Sequence, residues 1–167
     1  MNSRLFYTDM YERIENSVRV DLNEREDYLS EATAQSTRAV GDAIERLIST
    51  SLEDILGDFV ATFSEEFARR SMEDIAFTDV DDFYYAVDVK THRTDTAFNM
   101  PNLTSVRRLA RFYEDDKNYF SLLMASYHIE DETTAIVTNV RFIPIEFLDW
   151  ACLTIGALGW GQIQIAD

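Results

Sequence analysis

The sequence predicts an α/β fold in which a mixed central β-sheet is flanked by helices. Three observations indicate this fold class. Apolar residues recur at helical spacing before residue 70, strand-like runs follow after it, and a further helical stripe then interrupts the strands. With 167 residues and 46% hydrophobic composition, the chain is expected to form one domain with a buried core. Its 1–70 part is predicted to be helical, and its 71–167 part to carry the sheet.

Three helices are predicted in the N-terminal part. Leucine, methionine, isoleucine and valine share one stripe over Arg4–Val20, and a second stripe runs over Gln35–Leu56. Gly57 directly follows the second stripe and is expected to be its C-cap. A short third helix is predicted over Phe59–Arg70, because its two final arginines would suit the negative end of a helix dipole.

In residues 71–167 the sequence predicts strands around one helix. That helix is predicted over Leu103–Asp115, with Asn102 or Thr104 as its cap, after a loop over His92–Asn102. A helical turn is expected over Glu146–Trp150. Strands rich in β-branched and aromatic residues are predicted over Ile75–Thr78, Phe83–Val89, Tyr119–Ile129, Thr134–Ile145 and Trp160–Ala166. Aromatic residues expected to fill the core or a subunit interface are Phe142, Phe147, Trp150 and Trp160.

Charge and cysteine content narrow the function classes. The formal net charge of −16 argues against a general affinity for polyanions, although arginine and lysine are denser over 90–117. Cys152 is the single cysteine, so no intrachain disulfide can form. No apolar run is long enough to span a bilayer, and the first residues do not resemble a signal peptide. We therefore expect a cytoplasmic protein with no membrane partner. The sequence ends directly after its last predicted strand, which is compatible with a fragment of a longer protein.

Two acids and a lysine lie at the ends of neighbouring predicted strands. Asp74 precedes the first apolar run, and Asp88 and Lys90 end the second. A turn at Asp81-Asp82 would bring these ends together, and strand alternation would place Asp88 and Lys90 on one face while Val89 enters the core. Magnesium commonly needs only one or two carboxylates besides substrate phosphate oxygens. The pattern therefore predicts a divalent-metal site beside a lysine, which suits hydrolysis of a phosphodiester.

The role of the lysine stays open at this point. An ammonium beside two carboxylates can orient the attacking water or stabilise the developing negative charge. Whether Lys90 itself removes a proton depends on a lowered pKa. From spacing alone, a salt bridge at the end of a strand is the commoner explanation of Asp88 and Lys90. Charged residues within an apolar strand raise the weight of the catalytic explanation, because burial penalises unpaired charge.

The pattern from Asp74 to Val-Asp88-Val-Lys90-Thr-His resembles the PD-(D/E)xK nuclease superfamily. The stretch 97–105, Ala-Phe-Asn-Met-Pro-Asn-Leu-Thr-Ser, resembles the groove-entering loop of type II restriction endonucleases of the EcoRV and HincII kind. Residues 41–48, Gly-Asp-Ala-Ile-Glu-Arg-Leu-Ile, resemble the helix that precedes the catalytic hairpin. The resemblance covers residues 41–129.

This resemblance implies a restriction-endonuclease-like core with N-terminal helices. It implies that Asp74 and Asp88 bind Mg²⁺, that Lys90 is the catalytic lysine and that Glu45 is an auxiliary acid at the metal. The expected activity is in-line hydrolysis of double-stranded DNA that leaves a 5′-phosphate. A palindromic target would call for a homodimer with one active site per strand.

Several residues near this motif are candidate DNA contacts. An asparagine amide can pair with adenine, so Asn99 and Asn102 could contact base edges, although turn or cap chemistry also explains them. His92 could touch a phosphate or lie on a loop surface. The candidate phosphate contacts are Arg93, Arg107, Arg108 and Arg111.

Two other functions fit the same sequence. One is a repair, recombination or phage nuclease of the same fold, which would recognise DNA structure. The other is a non-catalytic acidic interaction protein, whose carboxylates bind partners or mimic DNA.

Overall fold

A computed structural model describes residues 2–25, 29–65, 72–97, 101–130, 133–156 and 161–165. These residues form a central mixed sheet with helices packed against it, which confirms the predicted fold class. The helices are α1 (Arg4–Tyr7), α2 (Met10–Glu24), α3 (Glu31–Ala34), α4 (Thr37–Leu56) and α5 (Val106–Phe112). The strands are β1 (Val60–Ser64), β2 (Ile75–Asp79), β3 (Tyr84–Arg93), β4 (Asn102–Ser105), β5 (Asn118–Glu130), β6 (Thr134–Pro144), β7 (Leu153–Ile155) and β8 (Gln162–Ile165).

The strands of these described ranges form two sheets. The larger has five strands in the order β1-β2-β3-β5-β6, in which only β3 and β5 run parallel. The smaller has three antiparallel strands in the order β4-β8-β7. Strand β3 lies in the middle of the larger sheet, and other elements pack on both of its faces, so its side chains from Tyr85 to Val89 are buried.

The two faces of the larger sheet bury different clusters. Alternation along β3 sends Val87 and Val89 into the cluster formed with α2 and α4, as predicted for Val89. Ala86 joins the cluster on the opposite face, where Leu109 and Phe112 of α5 pack together with residues of the smaller sheet. Asp88 and Lys90 alternate with the two valines, so they project from the face on which α5 packs.

Helix α2 covers the outer edge of the larger sheet. The amide of Asn23 exchanges two hydrogen bonds with the main chain of Val137, at 2.9 and 2.8 Å. Further along β6, a carboxylate oxygen of Glu15 accepts from the Phe142 N–H at 2.7 Å. These bonds satisfy main-chain groups that an edge strand would otherwise leave exposed.

Helix α4 begins and ends with the capping chemistry that the sequence indicates. The Ser36 hydroxyl accepts from the Ala39 N–H at 3.3 Å, and Gly57 follows Leu56 with a φ of +54°. The positive φ favours glycine, so the prediction of Gly57 as the C-cap is confirmed.

The predicted helix over Phe59–Arg70 is wrong where the structure describes it. A 3₁₀ turn over Gly57–Phe59 leads into β1, and residues 66–70 lie outside the described ranges. The β-branched residues of Val-Ala-Thr-Phe-Ser favour a strand, and Phe63 stacks on Phe77 of the neighbouring β2 at a centroid distance of 6.4 Å. Pairing with β2 therefore outweighs the dipole argument that favoured a helix.

The helix predicted over Leu103–Asp115 begins later. Residues Asn102–Ser105 form β4 and pair with β8, and Ser105 caps α5 by accepting from the Arg108 N–H at 3.3 Å. Neither Asn102 nor Thr104 is the cap. The predicted loop over His92–Asn102 also begins too early, because β3 continues through Arg93 along β5.

Other differences concern short elements. The first predicted helix is split into α1 and α2, and the helical turn at 146–150 consists of two 3₁₀ turns, Ile145–Phe147 and Trp150–Cys152. Strand β7 and helix α3 were not predicted. Within the described residues, no helix combines the length and apolarity that crossing a membrane requires.

Candidate active site

The β2–β3 hairpin brings the predicted acids and lysine together. Its strands pair with Ile75 opposite Val87, so Asp74, directly before β2, lies next to the end of β3 that carries Asp88. The connecting turn is held by Asp79, whose carboxylate accepts from the N–H groups of Asp81 and Phe83 at 2.9 Å each. Asp82 adopts a φ of +66° in this turn, a conformation that aspartate tolerates better than most residues. The predicted turn at Asp81-Asp82 is thus confirmed.

Asp74 is fixed to β3 through the main chain. Its N–H donates to the Val87 carbonyl at 2.9 Å, and its carboxylate accepts from the Val89 N–H at 2.7 Å. The carboxylate therefore continues the β2–β3 ladder by one residue beyond the last paired strand position. The Asp74 carboxyl is close enough to Asp88 for the two groups to interact.

Asp88 is buried, with 5% of its surface exposed. One of its carboxylate oxygens accepts from the Lys90 ammonium at 2.5 Å, and the other has no hydrogen-bond partner. Burying an unpartnered carboxylate oxygen costs free energy. In the protonated form Asp88 can share its proton with the neighbouring Asp74, and in the ionised form this oxygen is open to a cation.

The pKa of Asp88, which pairs with Lys90, is set mainly by burial. Burial raises the pKa of Asp88 to about 8, the charge of Lys90 opposes this rise, and the neighbouring Asp74 adds to it. The apolar strand β5 contributes to the burial, since Leu122 lies opposite Asp88 and Met124 opposite Lys90. Because the pKa of Asp88 stays high even with the Lys90 ammonium in contact, a further cation would be needed to favour the charged form at neutral pH.

Glu45 approaches the site from α4. Burial raises the pKa of Glu45, the nearby Asp74 raises it further, and Lys90 lowers it. Glu45 therefore lies within electrostatic range of Asp74 and Lys90, on the helix that packs against the opposite face of the sheet from Asp88. The predicted catalytic residues that the hairpin brings together are Asp74, Asp88 and Lys90. Glu45 lines a polar cleft of about 410 Å³ together with Asp42, Arg46, Ser49, Thr50 and Glu65.

Gly41 allows this approach of α4. A Cβ on residue 41 would lie 2.6 Å from the Thr91 hydroxyl oxygen on β3, closer than real Cβ contacts come. Glu45 follows one helical turn later on the same side of α4. The sequence did not reveal the contact between Gly41 and Thr91. The only signal for this contact was a glycine four residues before an acid within an amphipathic helix.

The residues present fit a magnesium ion with two carboxylate ligands. Within the described ranges, no three histidine, cysteine, aspartate or glutamate side chains are placed so that all could ligate one ion. Magnesium does not require three, because it keeps several waters and takes phosphate oxygens from substrates. Asp74 and the unpartnered oxygen of Asp88 provide such a pair, and Glu45 lies on the Asp74 side.

His92 and Arg93 occupy the last two positions of β3. His92 is half-buried in the strand opposite Ser126, which differs from a loop surface. The Arg93 guanidinium forms a bidentate ion pair with Asp95, at 2.6 and 2.9 Å. A phosphate that bound Arg93 would have to compete with this aspartate.

The asparagine candidates differ in what the structure shows. Asn99 lies outside the described residues. Asn102 is exposed on β4, and its side-chain oxygen accepts from the Gln164 amide at 2.8 Å. Its amide group therefore belongs to the surface of the smaller sheet.

The remaining arginines form a basic surface on α5. All three side chains, at positions 107, 108 and 111, are exposed. Phe112 of the same helix contacts Tyr84 at the start of β3, at a centroid distance of 6.0 Å. Asp88 is four residues further along that strand, or about 13 Å at 3.3 Å per residue. Helix α5 therefore packs on the sheet face from which Asp88 and Lys90 project, and it carries these arginines on its exposed side.

Comparison with models of known protein families and with curated proteins yields no match for this chain. The assignment of function therefore depends on the geometry of the site and on the motif resemblance.

Proposed function

We propose that this protein is a magnesium-dependent endonuclease that hydrolyses phosphodiester bonds of double-stranded DNA, with the site specificity of a type II restriction endonuclease. One observation carries the proposal: Asp88 is buried with one oxygen bound to Lys90 and the other unpartnered, next to Asp74. Such a site is prepared for a cation and for an anionic substrate.

Asp74 and Asp88 would hold the ion. The Val89 N–H holds one Asp74 oxygen, and the other oxygen would bind the ion. A bound magnesium ion would supply charge neutralisation for the phosphate and lower the pKa of an adjacent water. Glu45, which interacts electrostatically with Asp74, would accept a hydrogen bond from a water molecule at the site.

Lys90 would act on the substrate side. Its side chain is 22% exposed, whereas that of Asp88 is 6% exposed, so the ammonium lies nearer to solvent than its partner. From this position it would orient the attacking water and stabilise the negative charge that develops on the phosphate. The ion pair with Asp88 keeps the ammonium in place before substrate binds.

The charge distribution restricts where DNA would lie. On a chain of net charge −16, binding requires a local basic surface, and the α5 arginines provide it on the sheet face of Asp88 and Lys90. We place the enzyme in the cytoplasm, acting on a palindromic target as a homodimer.

The test is cleavage of plasmid DNA in the presence of magnesium by the wild type and by Asp88→Ala and Lys90→Ala. The two lysines of the chain provide a matched control, since Lys117 also pairs with an aspartate, Asp82, at 2.6 Å. We expect discrete fragments from the wild type and from Lys117→Ala, and a loss of at least about a hundredfold in rate from the other two variants.

Other outcomes would identify a different function. Nicking at DNA junctions or ends without discrete fragments would indicate a repair, recombination or phage nuclease. If the wild type cleaves no DNA, and if Asp88→Ala and Lys90→Ala leave magnesium and DNA binding unchanged, the chain is a non-catalytic acidic interaction protein.

A further inference from the structure

An apolar pocket of about 490 Å³ lies between α5 and the smaller sheet. Asp74, Asp88 and Lys90 do not line it, so it is separate from the proposed active site. Aliphatic side chains form most of its described lining, among them Val106, Leu109, Leu148, Leu153, Ile155 and Ile163. A volume of this order and a lining of this kind are typical of sites for small molecules, because release of water from apolar surface favours binding.

Both walls of the pocket are attached to β8. On one side, the Val106 N–H at the start of α5 donates to the Gly161 carbonyl at 2.9 Å, directly before β8. On the other side, β7 pairs with β8, and the Gly156 N–H at the end of β7 donates to the Gln162 carbonyl at 2.8 Å. The fold itself therefore holds the two walls in place, and a preformed pocket costs little ordering when a ligand binds.

Glu146 is the one charged side chain among the described residues that line the pocket. The Tyr113 hydroxyl lies close enough to donate a hydrogen bond to its carboxylate, and the same hydroxyl accepts from the Phe120 N–H at 3.0 Å. Partial burial raises the pKa of Glu146, although the Tyr113 hydroxyl favours the ionised form. Because a carboxylate accepts several hydrogen bonds, Glu146 can accept from a cationic group as well as from Tyr113.

Trp150 also lines the pocket, and it is 86% exposed, more than any other large apolar side chain in the described ranges. A core position for Trp150 is therefore wrong, whereas Phe142 is buried as predicted and Trp160 lies outside the described residues. The face of an indole attracts an ammonium group. The exposed Asp149, directly before Trp150, adds negative charge nearby. A cation in this pocket would thus meet an aromatic face and a carboxylate.

The arginines of α5 lie apart from this pocket. Val106 and Ala110, which are four residues apart and so share one side of α5, line the pocket. The exposed arginines of the helix are absent from that lining, so the surface assigned to DNA and the pocket occupy different sides of α5. The net charge of −16 further favours a cation over an anion.

We propose that the pocket between α5 and β7 binds a small hydrophobic amine in its protonated form. The apolar body of the amine would replace water against the aliphatic lining, its ammonium would donate to the Glu146 carboxylate, and the Trp150 indole would pack on the cation. A neutral molecule of the same shape would lack the ion pair, and an anionic one would be repelled by Glu146. This inference does not depend on the proposed nuclease activity.

Titration of the full chain with hexylammonium, hexanol and hexanoate tests the inference, because these probes share one apolar chain and differ in charge. Two-dimensional amide NMR spectra measure the affinity and locate the site. We expect hexylammonium to shift signals of α5, β7 and β8 and to bind about tenfold more tightly than hexanol, through a charge-assisted hydrogen bond. Hexanoate should not bind. Equal affinities for hexylammonium and hexanol would overturn the inference, as would shifts scattered over the acidic surface.

Glu146→Gln keeps the shape of the side chain and removes its charge. It should lower the affinity for hexylammonium to about that for hexanol and leave the affinity for hexanol unchanged. Glu114→Gln is the matched control, because Glu114 is exposed next to Tyr113 but does not line the pocket. It removes the same charge and should leave both affinities unchanged. Equal effects of the two variants would mean that net charge alone attracts the amine, and the site would be refuted.

Trp150→Ala tests the aromatic contact. It should weaken hexylammonium binding about threefold, as loss of one exposed cation–π contact does. Because Trp150 and Glu146 are exposed, both variants should fold, and their amide spectra check this. Unchanged hexylammonium affinity in both variants would place the amine elsewhere and overturn the inference. Signals of the pocket that shift with protein concentration alone would do the same, since a second copy of the chain would then cover it.

Discussion

Gly41 of α4 lies against Thr91 of β3 so closely that a Cβ at position 41 would stand 2.6 Å from the threonine hydroxyl oxygen. This contact sets the distance between the helix that carries Glu45 and the strand that carries Asp88 and Lys90. The helix cannot move closer, and any side chain at position 41 would push it away.

Gly41→Ala should therefore destabilise the wild-type chain but not a Thr91→Ala background. In the wild type, overpacking costs about 1–3 kcal/mol. Without the threonine hydroxyl, the alanine has room, and its better helix propensity should stabilise the chain by up to about 1 kcal/mol. The measurement is the free energy of unfolding in urea for the four members of this double-mutant cycle.

The decisive result is a change of sign: Gly41→Ala should lower the free energy of unfolding in the wild-type chain and raise it in the Thr91→Ala background. An equal effect of Gly41→Ala in both backgrounds would show that α4 does not depend on this contact. Magnesium affinity provides the functional readout: it should fall in Gly41→Ala and recover in the double variant, because Glu45 returns to Asp74.

The hairpin part of the site could be predicted from its local sequence pattern, whereas Glu45 of α4 was implied only by the motif resemblance and the contact between Gly41 and Thr91 was not predicted. Asp74 and Asp88 end strands whose local pattern is strong, and the turn between them contains residues that favour turns. The approach of Gly41 to Thr91 depends on how a helix packs on a strand distant in sequence, which no local pattern encodes. The same limit explains β1 and β4: both are short and gain their stability from partners outside their own segments, β2 and β8.

The stability of the metal-free chain should fall as pH rises. Burial raises the pKa of Asp88 to about 8 in the folded state, above its usual value of about 4 in an unfolded chain. Between these two values the folded state holds a proton that the unfolded state has lost. The contribution of Asp88 is fully present below about pH 4 and is lost toward pH 8, at up to about 1.4 kcal/mol per pH unit.

Urea unfolding at a series of pH values measures this slope, and Asp88→Asn supplies the control. Asparagine does not titrate, so the variant should lose most of the decline between pH 4 and 8. A wild-type slope that persists unchanged in Asp88→Asn would assign the pH dependence to other groups.

Asp74 should have two separable roles, one in the fold and one in metal binding. Asp74→Ala removes the acceptor of the Val89 N–H and should lower the free energy of unfolding by about 1–3 kcal/mol. Asp74→Asn keeps an oxygen acceptor there, so it should retain most of the stability and lose most of the magnesium affinity.

Calorimetric titration with magnesium and urea unfolding together distinguish these roles. If asparagine supports magnesium binding as well as aspartate does, the carboxylate charge is not needed and the proposed metal site is wrong. If alanine leaves stability unchanged, the hydrogen bond to Val89 does not hold the end of the hairpin.

The arginines of α5 should contribute to DNA affinity without selecting its sequence. Arg107→Ala and Arg111→Ala remove exposed cations on the sheet face of Asp88 and Lys90, so each should weaken binding to different DNA sequences by a similar factor. Removing one arginine–phosphate interaction should also reduce the slope of log affinity against log salt by about 0.9.

Arg38→Ala is the control, because its side chain is 91% exposed on α4, which packs on the other face of the sheet. Fluorescence anisotropy with labelled duplexes at several salt concentrations measures both quantities. If Arg38→Ala lowered DNA affinity as much as the α5 variants do, DNA would bind no particular face of this acidic protein. If the α5 variants bound DNA as the wild type does, the DNA would contact another surface.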